Sequence, residues 1–157
     1  MATRVWTIGH STRSIEEFLA LLRESRIEVL ADIRRFPTSR WPQFRQESLR
    51  DSLAAERVEY RHLADLGGYR PGGYVAFTAT PEFARGLQNL VAMAAERRTA
   101  IMCAEVVFFR CHRRYVADAL VRRGVEVVHV MGPGKTRRHV AQERLADVPE
   151  DSLPRDP

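Results

Sequence analysis

Short apolar segments alternate with amphipathic segments along most of this chain. Patterns typical of strands cover residues 5–8, 27–33, 58–63, 99–103 and 125–131. Each of the first four strand patterns is followed by a segment with helical spacing. These segments begin at residue 15 and cover 47–57, 81–98 and 111–123. Because strand and helix alternate at this spacing, the pattern predicts an α/β fold. We expect a three-layer Rossmann-like sandwich around a mainly parallel, five-stranded sheet.

Local signals mark where several of these helices begin and end. Ser14, with Glu17 three residues later, forms a capping-box pattern before the first helix. Thr80 precedes Pro81, which suits the first position of the long central helix. Gly124 predicts the end of the helix before the last strand.

The remaining segments show weaker patterns. Charged and apolar side chains alternate over 58–63, as at a sheet edge. The glycine-rich stretch 66–78 is predicted to be a loop, and 137–145 a final helix. One domain is therefore expected over residues 1–146, followed by a frayed tail over 147–157.

Polar side chains gather where the predicted strands end. They are His10, Ser11 and Thr12 after the first strand, Asp32 and Arg34 after the second, Cys103 and Glu105 after the fourth, and Cys111, His112 and Arg113 at the start of the following helix. Open α/β sheets bind ligands at the carboxyl ends of their strands. We therefore predict one shared site, with Glu105 within reach of His10 or Asp32.

Side-chain chemistry suggests a role for each of these residues. The candidate catalytic residues are Glu105, Asp32, His10 and Cys111. Two carboxylates in one crevice can act as acid and base, and an imidazole can orient a substrate or carry a proton. The candidate ligand-binding residues are Ser11, Thr12, Arg34, Ser39, Arg40, Cys103, His112 and Arg113. The plainer alternatives are an ion pair for Asp32 and a core histidine for His10.

Four arginines fall within residues 34–45, around Ser39, Trp41 and Phe44. This composition favours contacts to phosphate together with base stacking over a solvated surface loop. If so, replacing Arg34 or Arg40 with Ala weakens anion binding and leaves the melting temperature nearly unchanged.

The chain has only two cysteines, Cys103 and Cys111. No secretory segment or long apolar span is evident, so we expect a cytoplasmic protein with reduced thiols and no membrane association. With His112 they offer at most three metal ligands at unsuitable spacing, so no metal site is predicted. Cys111, at a helix start beside His112 and Arg113, is expected to be more reactive than Cys103, which ends an apolar strand.

The formal charge of +5 and the pI near 9.9 suggest an anionic partner, either a small molecule or nucleic acid. Because Lys135 is the only lysine, the basic residues are almost all arginine, and this bias is typical of a GC-rich genome. The residues 132–136, Gly-Pro-Gly-Lys-Thr, lack the first glycine of a phosphate-binding P-loop. A plain glycine-rich turn is expected there.

Several motifs together resemble the domain of unknown function 488 family. The resemblance covers residues 5–139 and rests on Thr7-Ile8-Gly9-His10-Ser11-Thr12, Asp32-Ile33-Arg34 with Pro37, Ser39, Arg40 and Phe44, Leu66-Gly67-Gly68, Met102-Cys103-Ala104-Glu105 and Cys111-His112-Arg113. The stretch between Gly68 and Thr80 is shorter than is usual in that family. The resemblance supports the α/β fold and implies no particular activity.

Three functions therefore stay open. The first is a hydrolase or group transferase acting on a phosphate-bearing or nucleotide-like ligand at the carboxyl edge. The second is a non-catalytic module that binds nucleic acid or nucleotides, and the third is a thiol or redox enzyme that uses Cys111. The sequence identifies no cofactor and no oligomeric state.

Overall fold

A computed structural model describes residues 3–105 and 111–141 of the chain. The strands are β1 Arg4–Gly9, β2 Val29–Asp32, β3 Glu59–His62, β4 Thr99–Cys103, β5 Glu126–Gly132 and β6 Lys135–Arg138. The helices are α1 Ile15–Glu24, α2 Gln46–Ala55, α3 Tyr74–Phe77, α4 Pro81–Glu96 and α5 Arg113–Arg122. Short 3-10 helices occur at Pro42–Phe44 and Ala64–Leu66. No helix in these ranges is long and apolar enough to span a membrane.

All six strands form one sheet in the order β3-β2-β4-β1-β5-β6. The first five strands are parallel, and β6 runs antiparallel to β5. The predicted α/β class is confirmed, and β3 lies at the predicted edge. The predicted number of five strands is wrong, because the sequence pattern missed β6.

The sixth strand replaces the start of the predicted helix over 137–145. A two-residue turn of Pro133 and Gly134 joins β5 to β6, and Gly134 has a φ of 65°, which glycine adopts at little cost. Every residue of β6 is exposed, so the strand has no apolar face for a sequence pattern to reveal. Residues 142–145 and the tail 147–157 lie outside the described residues.

Two apolar clusters form the core. One includes side chains of α1 and α2, such as Phe18 and Leu53, packed with Leu30 of β2. The other includes side chains of α4 and α5, such as Leu87 and Leu120, packed with the other side of the strands. Burial of these side chains holds the sheet rigid and fixes the positions of its strand ends.

Helix caps agree with the sequence at two positions. Ser14 Oγ accepts a hydrogen bond from the Glu17 backbone N–H at 3.1 Å, and Thr80 Oγ1 accepts one from Phe83 N at 3.3 Å. The predicted loop over 66–78, in contrast, contains α3. The glycines of this segment favoured a loop prediction, so the single helical turn was not predicted.

The carboxyl ends of β1 and β4 lie side by side at the centre of the sheet. The His10 N–H donates to the Cys103 carbonyl at 3.0 Å, and the Ser11 N–H donates to the Ala104 carbonyl at 2.8 Å. Since β2 pairs with the other side of β4, the segments following β1, β2 and β4 emerge together. The candidate residues are therefore expected at this edge of the sheet.

Candidate functional site

A buried ion pair between Asp32 and Arg34 dominates the end of β2. Asp32 is fully buried, and Arg34 is only 6% exposed. The Arg34 guanidinium donates through Nη2 to Asp32 Oδ2 at 2.7 Å and through Nε to Oδ1 at 2.9 Å. Tyr60 Oη adds a third donor at 2.6 Å. The carboxylate of Asp32 is therefore occupied by internal donors.

The remaining nitrogen of Arg34 is also engaged. Its Nη1 donates to the Phe44 carbonyl at 2.7 Å and to the Thr38 carbonyl at 3.3 Å. The side chain thus ties the loop after β2 to the strand end. This geometry supports the ion-pair alternative for Asp32 and gives Arg34 a structural position.

His10 lies against the same ion pair. Its ring stacks on Phe44 with the ring centroids 4.4 Å apart. His10 Nδ1 is 3.0 Å from the Ser11 carbonyl, which can only accept, so we assign the ring proton to Nδ1. His10 Nε2 then faces Arg34 Nη1 at 3.5 Å as an acceptor. Burial lowers the pKa of His10 to about 4, so the ring is neutral at pH 7.

Tyr60 is a member of this network that the sequence analysis missed. It lies on the edge strand β3, and burial with the nearby Asp32 charge raises its pKa above the ordinary value. The phenol therefore stays protonated as a donor to Asp32. The alternating pattern of β3 was the only available signal, and it did not show which face Tyr60 occupies.

Ser11 and Thr12 follow β1 at the centre of the edge. Ser11 has a φ of 42°, in the left-handed region that a residue with a side chain rarely adopts. Ser11 is half-buried and Thr12 is exposed. The ligand-binding roles of Ser11 and Thr12 stay predictions.

Glu105 follows β4 next to this turn and is half-buried. Its backbone carbonyl accepts from Arg113 Nη2 at 2.7 Å and from the Cys103 thiol at 3.6 Å. Within residues 3–105 and 111–141, no hydrogen bond joins the Glu105 carboxylate to His10 or Asp32. Asp32 is therefore held in an internal ion pair, and its predicted pairing with Glu105 stays a prediction.

Cys103 and Cys111 come together on the α5 side of the sheet as free, buried thiols. His112 Nδ1 lies 3.5 Å from the Cys111 sulfur, and His112 Nε2 donates to the Ile33 carbonyl at 2.9 Å. Burial opposes the Cys111 thiolate, but a hydrogen bond from Cys103 and the charge of Arg113 outweigh it and lower the pKa of Cys111. Burial raises the pKa of Cys103. Both directions agree with the sequence-based expectation.

Arg113 begins a chain of buried hydrogen bonds that the sequence analysis missed. Its Nη1 donates to Thr7 Oγ1 at 3.0 Å, and Thr7 Oγ1 lies 2.5 Å from His129 Nδ1. His129 Nε2 contacts His139 Nδ1 at 2.8 Å, and His139 Nε2 contacts Asp118 Oδ1 at 2.6 Å. Burial lowers the pKa of His129 to about 3. This series of contacts links β1, β5 and His139, the residue after β6, to α5.

An exposed surface of aromatic rings and arginines borders the edge. We define this aromatic–arginine surface by Arg35, Phe36, Arg40, Trp41, Arg45 and Tyr69. Phe36 and Tyr69 are each 58% exposed, with ring centroids 6.1 Å apart, and Trp41 is 38% exposed. Arg35 lies over the Phe36 ring and donates to the Tyr69 carbonyl. Ser39 shapes the loop, since its Oγ accepts from the Trp41 N–H at 3.0 Å.

Two other expected features concern ions and phosphates. Among residues 3–105 and 111–141, no group of three or more His, Cys, Asp or Glu side chains is placed to hold a metal ion. Residues 132–135 form the hairpin turn described above. The glycine-rich turn is therefore confirmed, and this segment does not precede a helix as a P-loop would.

Comparison with known proteins identifies the family of this chain. The family model described as "Domain of unknown function DUF488" matches residues 14–73 and 71–120. The chain belongs to this family, as its motifs indicated. A search of curated proteins and a search of solved structures found no match.

Proposed function

We propose that the carboxyl edge of the sheet binds a phosphate-bearing, nucleotide-like ligand through the aromatic–arginine surface. The observation that carries this proposal is the exposed ring pair of Phe36 and Tyr69, beside a loop that also carries the exposed Trp41. The exposed large hydrophobic residues of the described chain are Phe36, Trp41, Tyr69 and Val140, and the first three belong to this surface. Exposed rings are costly in water and useful for stacking on a base.

Charge on the same surface suits the phosphate. Arg40 and Arg45 are exposed, and Arg35 is half-buried beside Phe36. A guanidinium binds phosphate oxygens in a bidentate manner, so neighbouring arginines can hold the anion while a ring holds the base. The buried Arg34 does not supply this contact in our proposal, because its donors serve Asp32, Thr38 and Phe44.

Fluorescence of the full chain tests the proposal. The protein has two tryptophans, of which Trp6 is buried and Trp41 is on the surface in question. Adenosine triphosphate and a single-stranded oligonucleotide are titrated separately, so that a free nucleotide and a nucleic acid are distinguished. We expect saturable quenching of Trp41 by at least one of them, with an affinity that falls as salt is added.

Two arginine variants provide the matched comparison. Arg40→Ala is expected to weaken binding about tenfold, corresponding to loss of one charge-assisted contact. Arg85→Ala removes an equally exposed arginine from α4 and should leave binding unchanged. Quenching that is absent, independent of salt, or equally reduced in both variants would refute the proposed surface.

A second candidate function adds catalysis at Glu105. Glu105 is half-buried, its neighbour Ala104 accepts from the Ser11 N–H, and its own carbonyl accepts from Arg113. This placement of the backbone supports a role for its carboxylate as a base or nucleophile in hydrolysis or group transfer. If substrate screening finds turnover of a phosphate ester, Glu105→Gln should abolish turnover while ligand binding persists. Full turnover in Glu105→Gln would reject Glu105 as the catalytic group.

A further inference from the structure

We propose that Cys103 and Cys111 form a redox-active dithiol site that is oxidised by a peroxide to a reversible intramolecular disulfide. The two cysteines lie on different elements, at the end of β4 and just before α5. They pack in one buried cluster, and each thiol is close enough to the other to influence its pKa. The site is independent of the proposed nucleotide surface.

The surroundings of Cys111 favour the attacking sulfur. The Arg113 backbone N–H points to this sulfur at 3.5 Å from the first turn of the ten-residue helix α5. His112 Nδ1 lies at the same distance and can take the thiol proton, because the Ile33 carbonyl holds the other ring proton on Nε2. A helix N-terminus, an imidazole and a guanidinium together stabilise a thiolate.

The surroundings of Cys103 suit the second step. Its side chain is fully buried at the strand end, and its thiol donates to the Glu105 carbonyl and neighbours Cys111. It remains protonated until Cys111 has been oxidised. Cys111 is itself only 3% exposed, so the oxidant must be small, and hydrogen peroxide is close to water in size.

The reaction balances as a two-electron oxidation. The Cys111 thiolate attacks one peroxide oxygen, the O–O bond breaks, and the departing hydroxide takes up the proton that Cys111 had lost. The product is a Cys111 sulfenic acid and one water. The Cys103 sulfur then attacks the Cys111 sulfur, the S–O bond breaks, and hydroxide leaves with the Cys103 proton as a second water. Both thiols are oxidised and the peroxide is reduced.

Treatment of the folded full chain with hydrogen peroxide tests the proposal. Because the chain has two cysteines, thiol counting reports on this site alone, and the masses of the peptides that carry Cys103 and Cys111 separate a disulfide from oxidation of the four methionines. We expect loss of both thiols, a mass decrease of two hydrogen atoms, migration as a monomer without reductant, and full reversal by dithiothreitol.

Single variants separate the two roles. Cys103→Ser should stop at a Cys111 sulfenic acid that dimedone traps, whereas Cys111→Ser should lose its remaining thiol at least about tenfold more slowly than Cys103→Ser. Cys103→Ala and Cys111→Ala repeat the comparison if a buried hydroxyl prevents folding. Denatured protein is the control, because unfolding should make the two rates equal.

Three results would overturn the proposal. They are folded protein whose thiols survive peroxide, single variants that react at equal rates, and a disulfide that forms only between chains.

Discussion

Arg34 shows how one residue changes the interpretation of the whole edge. An arginine on a polar loop suggests a ligand contact, yet this side chain folds back onto Asp32, two residues earlier. Removing Arg34 would leave a fully buried carboxylate without its ionic partner. A charge that is buried and unpaired is among the most destabilising defects in a protein.

We therefore expect Arg34→Ala to lower the free energy of unfolding by about 3–5 kcal/mol. This replaces the sequence-based expectation that the substitution leaves stability unchanged. Urea denaturation measures the effect, and Arg40→Ala is the control, with an expected change within about 0.5 kcal/mol because Arg40 is exposed. Equal stability of the two variants would contradict the assigned ion pair.

His10 gives a prediction about pH. Its pKa is lowered from 6.5 to about 4 in the folded protein, so the unfolded chain binds the proton more readily. The contribution of neutral His10 to the free energy of unfolding is fully present above about pH 6.5 and is lost as the pH falls toward 4. At pH 5 the loss amounts to about 2 kcal/mol relative to pH 7.

Urea midpoints at pH 7 and pH 5 measure this effect. His10→Asn cannot titrate and should lose about 2 kcal/mol less than the unmodified protein between these two pH values. An identical loss in both proteins would show that His10 is not held neutral. His129, whose pKa is lowered to about 3, maintains part of the pH dependence in the variant.

The sequence was sufficient to predict that His10, Asp32 and Cys111 lie at one edge of the sheet, because the carboxyl ends of parallel strands share an edge. It could not show which atoms meet there. The Arg34 side chain is directed by the Phe44 carbonyl, and Tyr60 reaches Asp32 only because β3 pairs with β2 in register. Such contacts depend on tertiary packing and leave no periodic signal.

Among the elements, the loop after β2 packs closely against the backbone at Gly67. A methyl group at this position would lie 2.4 Å from Arg35 Cα, a contact that requires the backbone to move. Gly67 thus lets the segment after β3 approach the loop that carries the aromatic–arginine surface. Its role is close approach of two backbones.

Gly67→Ala is expected to destabilise the fold by about 1–3 kcal/mol through this overlap. Gly132→Ala is a matched control, since no atom lies within 4 Å of its added methyl group and its φ is not positive. Thermal unfolding of both variants measures the difference. Similar melting temperatures for the two would show that the loop does not depend on this contact.

The elements that the sequence predicted and missed differ in their apolar pattern. β4 is buried at every residue and α4 carries a clear apolar face, so both are evident from spacing. The strand β6 is Lys-Thr-Arg-Arg, fully exposed and paired on one side only, and α3 is a single turn behind two glycines. Their formation depends on neighbours that are distant in sequence.

For the whole molecule, the carboxyl edge of the sheet has three parts. A buried ion-pair network shapes it, a dithiol lies on the α5 side, and the aromatic–arginine surface faces solvent. We propose that this last surface binds a nucleotide-like phosphate ester. The net charge of +5 favours anion binding in general, so the location of binding distinguishes this surface from non-specific attraction.

Nuclear magnetic resonance locates the ligand directly: isotopically labelled protein is titrated with adenosine triphosphate or the oligonucleotide while its amide chemical shifts are recorded. We expect the amide shifts of Phe36, Trp41 and Tyr69 to change and saturate together, and the amide shifts of α4 to stay constant. Saturable shifts centred on α4 instead, or no shifts with either ligand, would contradict this proposal.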